Sequence, residues 1–408
     1  MMKKSIIYFT SGIVIFLVLV LTGIFLISHG IEKYLVIISA IFYFSLNGYL
    51  FYVYSHKNLP QKVSKNSKEP ITFIISVRPL INGNESYADR VIKVVESVKK
   101  QDVEKEILVY MADKTDGLIV GALEGTDYKI FYNFERINGL NDAIIRAKYE
   151  YLYYLDDNTI IPKEAYTAQN YFDDQTVCVS GIRYYPKSYR NNLFVDFYSR
   201  LTYSMFFGEK LKMQTINTFV NFSGSHGLFK KSYLIKHKFI SGEFNRTEDA
   251  ESSYYAYLVE NKKMKIIDIQ SEDLPPKDML SLINQRIRWS EGWLQTYYQY
   301  INKINNPKTF KLRLEFYRKF ISTYFGIILM PLSIFLIFNK FSVIGFSILI
   351  VNWLAGIIQI VYAYKLEFKE KIVGAIFYPI IFIFGSLLDT AALVKIFNKD
   401  VEWYSTKK

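Results

Sequence analysis

"YLYYLDDNT", residues 151–159, is an apolar, aromatic run that turns acidic within its last four residues. Such a run reads as a buried strand whose carboxyl tip carries Asp156, Asp157 and Asn158. Upstream, "ITFIISV" (71–77) is continuously apolar, the mark of a strand covered on both faces. "YADRVIKVVESVKK" (87–100) has apolar residues at helical spacing, "EILVYMA" (106–112) reads as strand and "DKTDG" (113–117) as turn. "YKIFYN" (128–133) is a further strand and "GLNDAIIRAKYE" (139–150) a helix. Strand alternating with helix predicts an α/β fold on a mostly parallel sheet. Ligands of such sheets bind beyond the carboxyl ends of the strands, where Asp113, Asp116, Asp156 and Asp157 fall.

The flanks have a different character. Ser5–Ile27, Tyr34–Tyr54, Phe320–Phe338, Phe341–Tyr364 and Ile372–Leu388 carry no charged side chain. The first two each cover roughly 30 Å as helices, enough to cross a bilayer. The expected organisation is a transmembrane hairpin over 1–55, a nucleotide-binding type of domain over 70–300, an interfacial helix region over 301–319, transmembrane helices over 320–396 and a tail over 397–408. The first segment is longer than a signal-peptide core and lacks a small-residue cleavage site, so it reads as a retained anchor. Lys3 and Lys4 precede the hairpin, and Lys57, Lys62, Lys65 and Lys68 follow it. Positive charge on both sides predicts a multi-pass plasma-membrane protein whose central domain is cytoplasmic. A lone cysteine, Cys178, excludes an internal disulfide and suits that reducing side. The formal charge of +12 has two readings: juxtamembrane lysines facing membrane lipids, or a site for a polyanion such as a nucleotide diphosphate. No compact basic-aromatic module argues for a nucleic-acid partner.

Three stretches can carry chemistry. Asp156 and Asn158 place oxygen ligands at a strand tip, as a hard divalent cation requires, although Asp and Asn also favour strand-ending turns. "TEDAESSYYAY" (247–257) opens a helix with Thr247 as N-cap; Glu248 and Asp249 then either stabilise its first turn or supply a general base. In "QRIRW" (285–289), Gln285, Arg288 and Trp289 share one helical face while Arg286 points elsewhere. Arginine offers a donor fork for a diphosphate and indole a flat face for a sugar; the same pair is common in membrane-interface belts. "SGSHG" (223–227) reads as a tight turn, and His226 has no partner set of a metal ligand.

In order, "ADKTDG", "LDDNT", "GSHG", "TED" and "EDLP…QRIRW", followed by apolar segments, resemble the membrane-embedded family 2 glycosyltransferases. These include cellulose, chitin, hyaluronan and poly-N-acetylglucosamine synthases and the non-processive ceramide glucosyltransferases. The resemblance covers about residues 70–300 in its motifs, and "VEWYSTKK" is similar to the tail of some bacterial members. It implies a GT-A-type fold and an inverting transfer of a hexose or N-acetylhexosamine from a UDP-sugar to a growing polysaccharide. By this resemblance Asp113, or Asp116 beside it, contacts the nucleoside; Asp156 opens the metal motif with Asn158, holding the diphosphate through Mg²⁺ or Mn²⁺. Asp249 is the catalytic base with Glu248 next to it, Arg288 pairs with the diphosphate, and Trp289 with Gln285 shapes the acceptor pocket. Three departures stand out: Asn158 replaces an aspartate, the "ADKTDG" spacing is one residue short, and Leu140 stands where many relatives have lysine. "VRPLINGNES" (77–86) keeps open single transfer to a lipid acceptor, and Asn158 with Leu140 a catalytically inactive assembly partner or sensor.

Overall fold

The computed structural model describes residues 67–77, 85–111, 117–132, 136–187, 192–215, 219–237, 247–304, 333–338 and 342–396. The expected hairpin over 1–55, Asp113, Asp116, most of 301–319 and the tail over 397–408 lie outside the described residues. The chain divides into two compact units. One holds Asn58–Ser188 and Phe219–Leu274; the other holds Met1–Lys57, Tyr189–Thr218 and Pro275–Lys408.

The first unit is built on β1 (Ile71–Val77), α1 (Glu85–Lys99), β2 (Lys105–Met111), α2 (Gly117–Leu123), β3 (Tyr128–Tyr132), α3 (Arg136–Arg146) and β4 (Tyr151–Asp156). Every residue of β1 is buried, as its unbroken apolar run requires. Phe73 and Ile75 enter the core on one face of the sheet and Ile74 that on the other. Leu140 is part of this second core. β3, β2, β1 and β4 pair in parallel, with Ser76 opposite Asp156. The chain runs outward from β1 to β3 and then returns to pair β4 with the other edge of β1. This reversal makes a switch point, with Asp156 at its carboxyl end.

Beyond β4 the sheet is mixed, and its order is β3-β2-β1-β4-β6-β5-β7. β5 (Thr176–Tyr184), β6 (Gly227–Lys230) and β7 (Lys263–Glu272) had no strand assignment from sequence. The four-residue β6 is antiparallel to both β4 and β5, so the chain just before it, Ser223–His226, lies at the tip of β4. This unit also holds a 3-10 helix (Ala165–Tyr171) and two short α-helices, α5 (Lys231–His237) and α6 (Glu248–Leu258).

The second unit is helical: α4 (Leu193–Thr215), α7 (Met279–Ile304), α8 (Ser342–Val361) and α9 (Phe368–Ile396). Val195, Tyr198 and Leu201 of α4 pack with Leu282, Ile360, Tyr378 and Ile381. Two of the expected spans fall in α8 and α9; of Phe320–Phe338 only 333–338 is described. Among the described residues one helix, α9, is long and apolar enough to cross a membrane. Asp389 within it accepts a hydrogen bond from Ser290 of α7, so this carboxylate inside an apolar helix faces protein. Lys395 pairs with Glu291 at 2.9 Å on the same two helices.

Candidate functional site

Four consecutive residues, Ser223 to His226, organise the acidic end of the sheet. The Ser223 carbonyl accepts a hydrogen bond from Nη2 of Arg183. Gly224 has φ +80°, a left-handed backbone that side chains other than glycine adopt only with strain. A Cβ there would lie 3.3 Å from Oδ2 of Asp249, so glycine also makes room for that carboxylate. Ser225 Oγ accepts the backbone N–H of Asp156 at 2.8 Å and donates to Thr159 at 2.9 Å. The His226 carbonyl accepts the Gly181 N–H at 3.0 Å, tying the turn to β5. Asp156 and Asp249, 93 positions apart in sequence, thus lie beside neighbouring residues of one turn, the first bonded to Ser225 and the second facing Gly224.

His226 is fully buried, and its ring lies so close to Gly181 that a Cβ on that glycine would meet Nε2 at 1.8 Å. Burial, with the Arg183 charge adding to it, pushes the imidazole down to about 3, so the ring is neutral at ordinary pH. Neither ring nitrogen has a hydrogen-bond partner among the described residues. The ring packs beside that of Tyr153, whose centroid lies 5.9 Å away.

Asp249 sits in the first turn of α6, one of three acidic residues there. Its Oδ1 accepts the Ala250 N–H at 2.9 Å. Thr247 does occupy the N-cap position, but its side chain makes no capping hydrogen bond. Glu248 is buried, whereas Asp249 is partly exposed and faces Gly224.

At the β4 tip, the Asp156 side chain keeps 24% exposure while Asp157 is fully buried. Arg183 Nη1 lies 3.9 Å from Asp156 Oδ2 and 3.1 Å from Oδ2 of Asp273. Oδ1 of Asp273 accepts Nδ2 of Asn158 at 2.6 Å. Asn158 is 2% exposed, and its Oδ1 has no hydrogen-bond partner among the described residues. A part-exposed carboxylate and an unused amide oxygen form a donor set suited to Mg²⁺ or Mn²⁺. These ions often take only one or two protein ligands and complete their shell with water and phosphate. No group of three or more His, Cys, Asp or Glu gathers for a metal among the described residues.

Sequence reasoning missed Arg183 and Asp273 as members of this site. The available signal was an arginine inside "VCVSGIRYY" (177–185), a run apolar enough to be buried. A buried guanidinium calls for a buried acid.

Gln285, Arg288 and Trp289 lie on α7 of the helical unit, at the expected i, i+3, i+4 spacing. Gln285 is buried; Arg288 and Trp289 are half-buried. Arg286, expected on another face, stacks on Trp289 at 4.5 Å and donates to Thr202 of α4 at 2.9 Å. Tyr203 lies 6.5 Å from the same indole.

No family model matches the chain. Over 277 residues, 65% of its length, it is 26% identical to the poly-beta-1,6-N-acetyl-D-glucosamine synthase of Staphylococcus aureus (strain COL). The corresponding synthase of Staphylococcus epidermidis is 25% identical over 266 residues, 63% of this chain. The chain spans 64% and 61% of the length of these curated relatives. Among solved structures, the mannosyltransferase PcManGT from Pyrobaculum calidifontis, in complex with GDP-Man and Mn²⁺, matches with a TM-score of 0.57. Its sequence identity is 14%, over 90% of this chain and 98% of that one. The fold is shared with a glycosyltransferase.

Proposed function

We propose that this chain is a membrane-embedded, inverting glycosyltransferase that moves a hexose or N-acetylhexosamine from a UDP-sugar to a growing polysaccharide. One observation carries the reading: a single turn, Ser223–His226, bonds to the metal-type strand tip at Asp156 through Ser225 and lies against the base candidate Asp249 at Gly224. Asp249 takes the proton of an acceptor hydroxyl, whose oxygen bonds to the anomeric carbon. The bond from that carbon to UDP breaks, and UDP leaves with the electron pair. Asp249 suits the base role because it is a carboxylate in the first turn of α6 and reachable from solvent.

Asp156 and the amide oxygen of Asn158 are the residues that would hold Mg²⁺ or Mn²⁺. A cation bound there would offset the charge that develops on the leaving diphosphate. The family resemblance assigns Arg288 to the diphosphate, Gln285 and Trp289 to the acceptor, and Asp113 or Asp116 to the nucleoside. The names of the staphylococcal relatives favour N-acetylhexosamine and polymer over a single transfer to lipid.

Multi-pass membrane embedding rests on the uncharged segments and on exposed apolar side chains of the helical unit. Phe346, Ile350 and Leu354 of α8 and Ile376, Phe377 and Ile380 of α9 are all about half exposed, which suits contact with lipid. The lysine-rich flanks of the first two segments favour a catalytic domain on the cytoplasmic side of the plasma membrane.

The test is Asp249→Asn in purified, lipid-reconstituted protein supplied with UDP-sugars. The variant should fold and release no UDP; turnover like the wild type would remove Asp249 from the mechanism. Sizing the wild-type product separates a polymerase from an enzyme that makes a monoglycosyl lipid.

A further inference from the structure

Asp273 lies on the buried side of the site, and both of its carboxylate oxygens accept hydrogen bonds. Oδ1 takes Nδ2 of Asn158 at 2.6 Å and also the Leu274 N–H at 2.7 Å. Oδ2 takes Nη1 of Arg183 at 3.1 Å. The aspartate itself is 1% exposed and its backbone N–H is fixed to the Tyr184 carbonyl at 3.0 Å.

Each contact has a chemical consequence at the strand tip. A carboxylate only accepts, so the Asn158 amide must turn its nitrogen toward Asp273. Its oxygen, the one end able to ligate a cation, is then the end left over, and that oxygen has no hydrogen-bond partner among the described residues. Arg183 is shared between two acids through the same Nη1 atom. Asp273 is the nearer and more deeply buried of the two, so it draws the guanidinium toward itself and leaves Nη1 in an ion pair 3.9 Å from Asp156, beyond hydrogen-bond distance. A guanidinium seated fully on Asp156 would neutralise the carboxylate that a divalent cation needs.

We propose that Asp273 is a positioning residue for divalent-cation binding: it orients the Asn158 amide and keeps Arg183 from capping Asp156. This rests on the reading of Asp156 and Asn158 as the cation site. Asp273 itself is buried away from solvent. Its role is to decide which way two neighbours face.

The experiment measures Mn²⁺ affinity by electron paramagnetic resonance on the full chain in lipid nanodiscs with UDP, for wild type, Asp273→Asn and Asp273→Asn/Arg183→Gln. Removing an outer partner of a metal ligand weakens metal binding about 10–100-fold, and Asp273→Asn should fall in that range. The double variant, lacking the competing guanidinium, should recover part of that loss. Wild-type affinity in Asp273→Asn overturns the inference, and so does a loss with no recovery in the double variant, which would mark a merely structural aspartate. Thermal unfolding is followed in parallel. Should Asp273→Asn not fold, Asp273→Glu keeps the charge but displaces it and must weaken Mn²⁺ in the same direction; unchanged affinity there also overturns the proposal. A wild-type protein that binds UDP but no Mn²⁺ removes the cation site and this inference together, leaving the transferase reading to the Asp249→Asn assay.

Discussion

Replacing Gly224 by alanine separates backbone strain from the placement of the base. At φ +80° an added side chain costs about 1–2 kcal/mol of left-handed strain. That corresponds to a fall in Tm of roughly 2–8 °C for a unit of this size. The new methyl would also stand 3.3 Å from Asp249 Oδ2, tighter than ordinary carbon–oxygen contact, so the carboxylate must give way slightly. Since a misplacement of about 1 Å can cost about 100-fold in rate, this smaller shift should lower turnover by about 3–10-fold. Gly125 supplies the control: its φ is +78°, yet a Cβ there meets nothing within 4 Å. Gly125→Ala should therefore lose similar stability and keep its rate. The assay is UDP release by reconstituted protein beside thermal unfolding of both variants. Equal turnover in the two would refute the reasoning that Gly224 exists to admit Asp249.

Two further outcomes are expected. Gly181→Ala drives a methyl to 1.8 Å from the buried His226 ring, whose own carbonyl is bonded back to residue 181, so overpacking should cost about 3 kcal/mol or more in denaturant titration. A midpoint within error of the wild type would show that the ring can move aside. His226 is held neutral down to about 3 in the folded protein, whereas the unfolded chain binds its proton near 6.5. Its contribution is complete above that unfolded value and is lost as pH falls, about 2 kcal/mol by pH 5. His226→Asn, tolerant of the left-handed backbone, should flatten this dependence; parallel wild-type and variant profiles between pH 7 and 5 would count against it.

Part of this molecule was legible in local pattern. β1 and β4 are strands because apolar side chains cover both faces of a parallel sheet, and a run without alternation is the sequence image of that burial. The helical spacing of Gln285, Arg288 and Trp289 follows from 3.6 residues per turn, and α7 carries it as read. Asp156 at a strand end and Asp249 in a first helical turn were likewise visible, because strand tips and helix starts have local signatures. What surrounds them was not. β6 is four residues long, too short for periodicity to register, yet its antiparallel insertion beside β4 brings "SGSH" to the acidic tip. Arg183 and Asp273 are 90 positions apart, and Asn158 and Asp273 are 115 apart. Hydrogen bonds across such separations leave no trace in any window of sequence, since neither partner's neighbours need differ for the bond to form. Sequence alone determined which segments are buried and which residues have the chemistry; tertiary structure decided which acid a guanidinium answers to, and which end of an amide is left for a ligand.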